Sequence, residues 1–240
     1  MHEPDPDTTK TRRMSDLIWL LAVGAIVIGC VAVAGFAIWR AVTAASEVDL
    51  QNFARQQGLI YARGAGNGWV LTPAVQGKSW KMEFHNPGSV DPDLNMGGET
   101  IWSGAADFPE HQAIFLAALP PKWLRTESAF NLMQFAARLG NTPLSDLAGR
   151  ASMATTGDSA FDARFSVVAT DASLARQILK DSVRRRIQAF VDSTSQVPRI
   201  IWSPGQLTVR VPREVTQEST LKAMMELGQT LATEAPRPQG

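Results

Sequence analysis

The sequence predicts an α+β fold: one N-terminal transmembrane helix, then a single soluble domain in which helices pack against an antiparallel sheet. Three observations predict it. An uninterrupted apolar run occupies residues 17–39. Downstream, short stretches of strand character are separated by Gly, Asn, Pro and Asp, as hairpins and meanders require. The C-terminal third then reads strand, helix, hairpin, helix, an order that argues against a doubly wound parallel sheet. The expected organisation is a disordered tail over 1–15, a membrane segment over 16–40, a juxtamembrane linker or helix over 41–58, and the α+β domain over 59–235. A long loop falls near 140–160.

The tail, MHEPDPDTTKTRRM, is polar and contains two prolines; such a segment buries too little apolar surface to order itself. Leu17 to Trp39 then runs for 23 residues without a charge, between Asp16 and Arg40. At 1.5 Å per residue it would be roughly 35 Å long, enough to cross a hydrocarbon core of about 30 Å with some tilt. Trp19 and Trp39 sit 20 residues apart, so each ring can lie at one membrane–water interface. The competing reading is a cleaved signal peptide with a small-residue site at Val42-Thr43-Ala44, but a signal's apolar region is usually 7–15 residues long. Lys10, Arg12 and Arg13 before the run outnumber Arg40 and Arg55 after it. This favours a single-pass signal-anchor in the cell inner membrane, with the N-terminus cytoplasmic and residues 41–240 extracytoplasmic, in the periplasm.

Glu47 to Gln57 looks like a short helix ending at Gly58. Strands are expected at Trp69–Thr72, Ser79–His85, Thr100–Trp102 and Ala113–Leu119. Pro120-Pro121 opens a helix from Lys122 to Leu139 whose apolar residues cover most of its circumference, so it should be covered on two sides. Gly140–Ala160 is rich in small polar residues and reads as a loop. Phe161–Ala169 alternates as a strand. Asp171 or Ser173 caps a helix to about Asp192, with Leu179, Val183, Ile187 and Phe190 on one face. Arg199–Trp202 and Gln206–Val211 form a hairpin around Ser203-Pro204-Gly205. A helix near Glu214–Thr233 places Leu221, Met224, Met225, Gly228 and Leu231 toward the core.

Two stretches of this third, FDARFSVVATDASLARQIL and IIWSPGQLTVRVP, resemble a strand-Asp-helix-hairpin module of uncharacterised bacterial single-pass membrane proteins. The resemblance covers residues 161–212 and rests on packing and capping positions. It implies an envelope protein and no activity.

Composition narrows the function classes. The formal charge is zero, which excludes the electrostatic footprint of a nucleic-acid binder. Cys30 is the one cysteine and lies within the apolar run, so the rest has no disulfide, thiol nucleophile or thiolate metal site. On the strand KMEFH, Glu83 and His85 are two apart and point to one face; with His111 they could make a His/His/Glu metal set, though no ligand spacing requires it. Asp91, Asp93 and Asn95 follow the alternation of a calcium loop, but Met96 stands where glycine is needed and Trp102 where glutamate is. Gly64, Gly66 and Gly68 precede a strand instead of a helix, so they form no phosphate loop. No serine-hydrolase motif occurs.

Charge is uneven along the chain. Residues 83–121 hold six acidic side chains and no Lys or Arg. Arg176, Lys180 and Arg184 recur every four residues and could meet an anionic surface, or the acidic 83–121 region of the same chain. No catalytic residue and no cofactor is expected. The function expected from these features is an extracytoplasmic interaction or assembly module, with the lipid bilayer and a protein partner or a second copy as its contacts. The alternatives are an extracytoplasmic ligand-binding or sensing domain and, less well supported, a metal-dependent enzyme using Glu83, His85 and Asp91.

Overall fold

The computed structural model of the protein describes residues 31, 47–65, 68–75, 79–85, 98–119 and 150–234. The chain divides into two units, Met1–Asp49 and Leu50–Gly240. Of the first, only Val31 and residues 47–49 are described, all of them helical. The expectation of a membrane-spanning helix is corrected: among the described residues no helix is long and apolar enough to cross a membrane. The longest, Glu218–Glu234, has 17 residues and carries four charged side chains over its length. This removes the support for a single-pass inner-membrane protein and for the orientation built on it. The run 17–39, apart from Val31, lies outside the described residues, as do Trp19 and Trp39.

The α+β, antiparallel part of the expectation describes the second unit well. Among the described residues nine strands form one sheet in the order β1-β2-β3-β4-β9-β8-β5-β7-β6: β1 (Leu59–Arg63), β2 (Trp69–Pro73), β3 (Trp80–His85), β4 (Glu99–Ala105), β5 (Ile114–Ala118), β6 (Ser152–Ala154), β7 (Phe165–Ala169), β8 (Arg199–Ser203) and β9 (Gln206–Val211). Every pairing is antiparallel. The helices are α1 (residues 47–56), α2 (Ser159–Asp162), α3 (Ala172–Ile178), α4 (Asp181–Thr194) and α5 (Glu218–Glu234).

Period-two alternation sorts the strand side chains onto two faces. One face carries Trp69, Leu71, Met82, Trp102, Val209, Ile200, Leu116 and Val167 in adjoining register positions. All are buried together with Leu50 and Phe53 of α1, Phe161 of α2, Ile178 of α3, Ile187 of α4 and Leu221, Met224 and Leu231 of α5. Helices therefore cover this face. Trp102 is its centre: the ring is 1% exposed, stacks on Trp80 at 6.3 Å, and lies between Gly104 on its own strand and Gly228 on α5. A β-carbon at Gly104 would come within 2.5 Å of the indole, and one at Gly228 within 2.2 Å. Only glycine lets sheet and helix close on an indole at this spacing. The other face bears a second buried apolar strip, Ile101, Ile201, Phe115 and Val168.

Several expected elements shift. Phe161–Ala169 divides into α2 and a shorter β7, because Asp158 caps Ala160 and Phe161 and winds one helical turn there. The helix expected from Asp171 to Asp192 breaks at Leu179–Lys180 into α3 and α4. The predicted loop 140–160 contains β6 and the start of α2, and β1 opens the predicted domain as a strand that was not expected there. The expected helix Lys122–Leu139 lies outside the described residues.

Candidate functional site

Glu83 and His85 do converge. Both stand on the face opposite the helices, with His85 Nε2 3.4 Å from Glu83 Oε1. Lys81, on the same face of β3, holds Glu83 at 2.8 Å. Register brings further charges alongside: Glu99 stands opposite His85, Ile101 opposite both Glu83 and Arg210, and Arg210 opposite Arg199. Glu99, 8% exposed, pairs with Arg199 at 2.9 Å and with Arg210 at 3.5 Å. Burial pulls the Arg210 guanidinium below its ordinary value, while the Glu99 carboxylate beside it opposes that shift. Glu99 and Arg210 are the residues that sequence reasoning missed here; their 111-residue separation leaves no local signal.

No group of three potential ligands stands together among the described residues, and His111 lies instead in the turn before β5, with a φ of 64°. Asp91, Asp93 and Asn95 lie outside the described residues. At the end of the same face an open groove of about 540 Å³ is lined by Ser79, Lys81, Ser103, Pro204 and Gln206. Its side chains offer hydrogen bonds, and its only titratable group, Lys81, is already paired with Glu83.

Arg176, Lys180 and Arg184 each have a partner within the chain. Arg176 Nε donates to the Thr155 carbonyl at 3.3 Å, and Lys180 pairs with Glu234 at 3.3 Å. Arg184 is the most engaged: it donates to the Leu179 carbonyl at 2.7 Å and to Asp158 Oδ2 at 3.2 Å, and lies 3.7 Å from Asp181. One guanidinium thus satisfies the end of α3, the start of α4 and the cap of α2. The stripe's partners are Asp158, Asp181 and Glu234, not the acidic 83–121 region.

The sheet's ends differ. Among the described residues β1 pairs only with β2 and β6 only with β7, which makes each an edge of the described sheet. Tyr61 and Arg63 of β1 both have further interactions. β6 has Ser152 and Met153 exposed, Met153 by 52%. An edge strand presents a row of backbone donors and acceptors to any chain that can pair with it.

No protein-family model matches the chain, and no curated protein matches it. Among solved structures, a mycobacterial trehalose monomycolate transport factor A is similar at 10% identity and a TM-score of 0.45, over 79% of this chain and 96% of that one. A likeness this slight has no bearing on function.

Proposed function

We propose that the Leu50–Gly240 unit is a non-catalytic interaction module that recruits a protein partner through its sheet. The single observation that carries this reading is the β6 edge: a strand in the sheet, unpaired on its outer side among the described residues, with Met153 half exposed upon it. Strand addition to such an edge supplies affinity from main-chain hydrogen bonds and specificity from alternate side chains.

The full chain tests this by size-exclusion chromatography with light scattering, alongside affinity capture and mass spectrometry. A stoichiometric complex, with a second copy or another protein, is expected for the unaltered chain and is expected to disappear in Met153→Lys. A monomer with no stoichiometric partner under both assays overturns the proposal.

A further inference from the structure

Resting on that reading, we infer that β6 is the docking edge for an extended segment of another polypeptide in which acidic and apolar residues alternate. Hydrogen bonds at both ends of the β5–β7 pair fix which way each backbone group points. Leu119 N donates to the Arg164 carbonyl at 2.9 Å and Thr170 N to the Ala113 carbonyl at 3.1 Å. Antiparallel pairs alternate between bonded and non-bonded, so Ser166 and Val168 turn their amides toward β5, while Val167 and Ala169 turn theirs toward β6. Ala169 faces Ser152 and Val167 faces Ala154. Those two residues of β6 therefore complete the internal ladder, and the N–H and C=O of Met153 point outward.

Side chains around this edge are sorted by face. Met153 stands on the face away from the helices, where Ser166 Oγ donates to its sulfur at 3.6 Å. Arg176 of α3 is on the helix side, its guanidinium on the Thr155 carbonyl just past the strand's end. Arg150 is exposed in the turn that leads into the strand, two residues before Ser152. A strand added here meets Arg176 on the helix side, Arg150 near the strand's start, and a thioether on the other face. Because strand side chains alternate, the segment that fits is acidic toward the helices and apolar toward Met153. The edge is three residues long, so the contact suits a short segment of about five residues.

The test uses the full chain and two probes: a blocked pentapeptide alternating glutamate and valine, and its counterpart alternating lysine and valine. Amide hydrogen exchange at Ala151 and Met153 is followed during titration. The acidic peptide is expected to slow exchange there, and the basic one to bind about tenfold more weakly. Met153→Pro removes only an outward N–H and is tolerated on an edge; with its melting temperature unchanged, it is expected to abolish binding. If that variant does not fold, Met153→Lys, which keeps the N–H but replaces the thioether facing the peptide's apolar side, is expected to weaken binding. Arg150→Glu is expected to narrow or reverse the charge preference. Equal binding of the two peptides, or protection mapping away from residues 150–155, overturns the inference. A partner complex that depends on Met153 but shows no charge preference overturns this inference alone; the absence of any complex overturns both.

Discussion

Replacing Gly228 by alanine sets two effects of opposite sign against each other. Alanine in a helix interior is favoured over glycine by about 1 kcal/mol, so on propensity alone Gly228→Ala should stabilise α5. Its β-carbon, however, would lie 2.2 Å from Cδ2, 2.5 Å from Cε3 and 2.6 Å from Cε2 of Trp102. Ordinary carbon contacts begin near 3.5 Å, so ring and helix must separate by roughly 1 Å. The ring has nowhere to go: its far edge lies over Gly104 and its flank stacks on Trp80. Overpacking of this kind costs about 1–3 kcal/mol, occasionally more. With the contact at the severe end, the net expectation is a loss of about 2 kcal/mol, or about 4–8 °C in melting temperature for a domain of this size. Thermal and urea denaturation of the full chain, followed by circular dichroism, measures it. The same substitution in a Trp102→Leu background should recover most of the loss, since the two sites are in contact and therefore non-additive. An unchanged or raised melting temperature for Gly228→Ala refutes the account of the indole as wedged between two glycines.

Three further outcomes are expected. Glu99→Gln leaves the buried Arg210 without its carboxylate charge and should cost about 3 kcal/mol, read as a shift in the urea midpoint without a change in slope. Asp171 caps α3 by accepting from Ser173 N at 2.7 Å, Ser173 Oγ at 2.7 Å and Leu174 N at 3.2 Å, and the Ser173 hydroxyl, then these amides, hold its carboxyl below the ordinary 3.8. A folded-state value below the unfolded one gives stability that is present above about pH 4 and lost as pH falls through the folded value; Asp171→Asn, which keeps a capping oxygen, should therefore flatten the acid limb of the stability curve below pH 4 and change little at pH 7. His85→Ala should leave the melting temperature within about 1 °C, because the side chain is 60% exposed and surface ion pairs contribute little; a drop of several degrees would show that it is held by more than Glu83.

The elements legible in the sequence are those whose signal is local. Asp171 is followed by small residues and an apolar face, and the structure caps a helix there. Strands β8 and β9 read directly from RIIWS and QLTVRV around Pro204-Gly205, with Gly205 at a φ of 72° in the turn. Where the sequence misled, contacts outside the local apolar pattern decide the outcome. The apolar face Leu179, Val183, Ile187 and Phe190 is continuous and buried, yet the helix breaks where Lys180 turns extended at ψ 165°, and Arg184 donates to the Leu179 carbonyl that an unbroken helix would use itself. β6 is three residues of a small polar stretch, too short for any period to register, and it exists because Val167 and Ala169 offer it a ladder. Glu47–Gln57 reads as a short helix ending at Gly58, and α1 forms there, but the sequence says nothing of Leu59–Arg63 becoming an edge strand paired along its length with β2.

The charge pattern shows the same division and bears on the candidate site. An acidic block over residues 83–121 and a basic helix stripe look, as sequence, like complementary surfaces. The fold pairs each locally or by strand register instead: Glu83 with Lys81 two residues away, Glu99 with arginines 100 and 111 residues further on, and the stripe with Asp158, Asp181 and Glu234. Once Arg176 is spent on Thr155 and Arg184 on Asp158, the helix stripe no longer presents a continuous cationic surface. Near the β6 edge stand Arg150, in the turn before the strand, and Arg176, its guanidinium on the Thr155 carbonyl. Recognition of an anionic surface by the helix face would depend on Lys180 and Arg184; recognition of an acidic strand by β6 would not. Neutralising Lys180 and Arg150 separately therefore separates the two: strand addition at β6 predicts weaker binding for the Arg150 change and none for the Lys180 change.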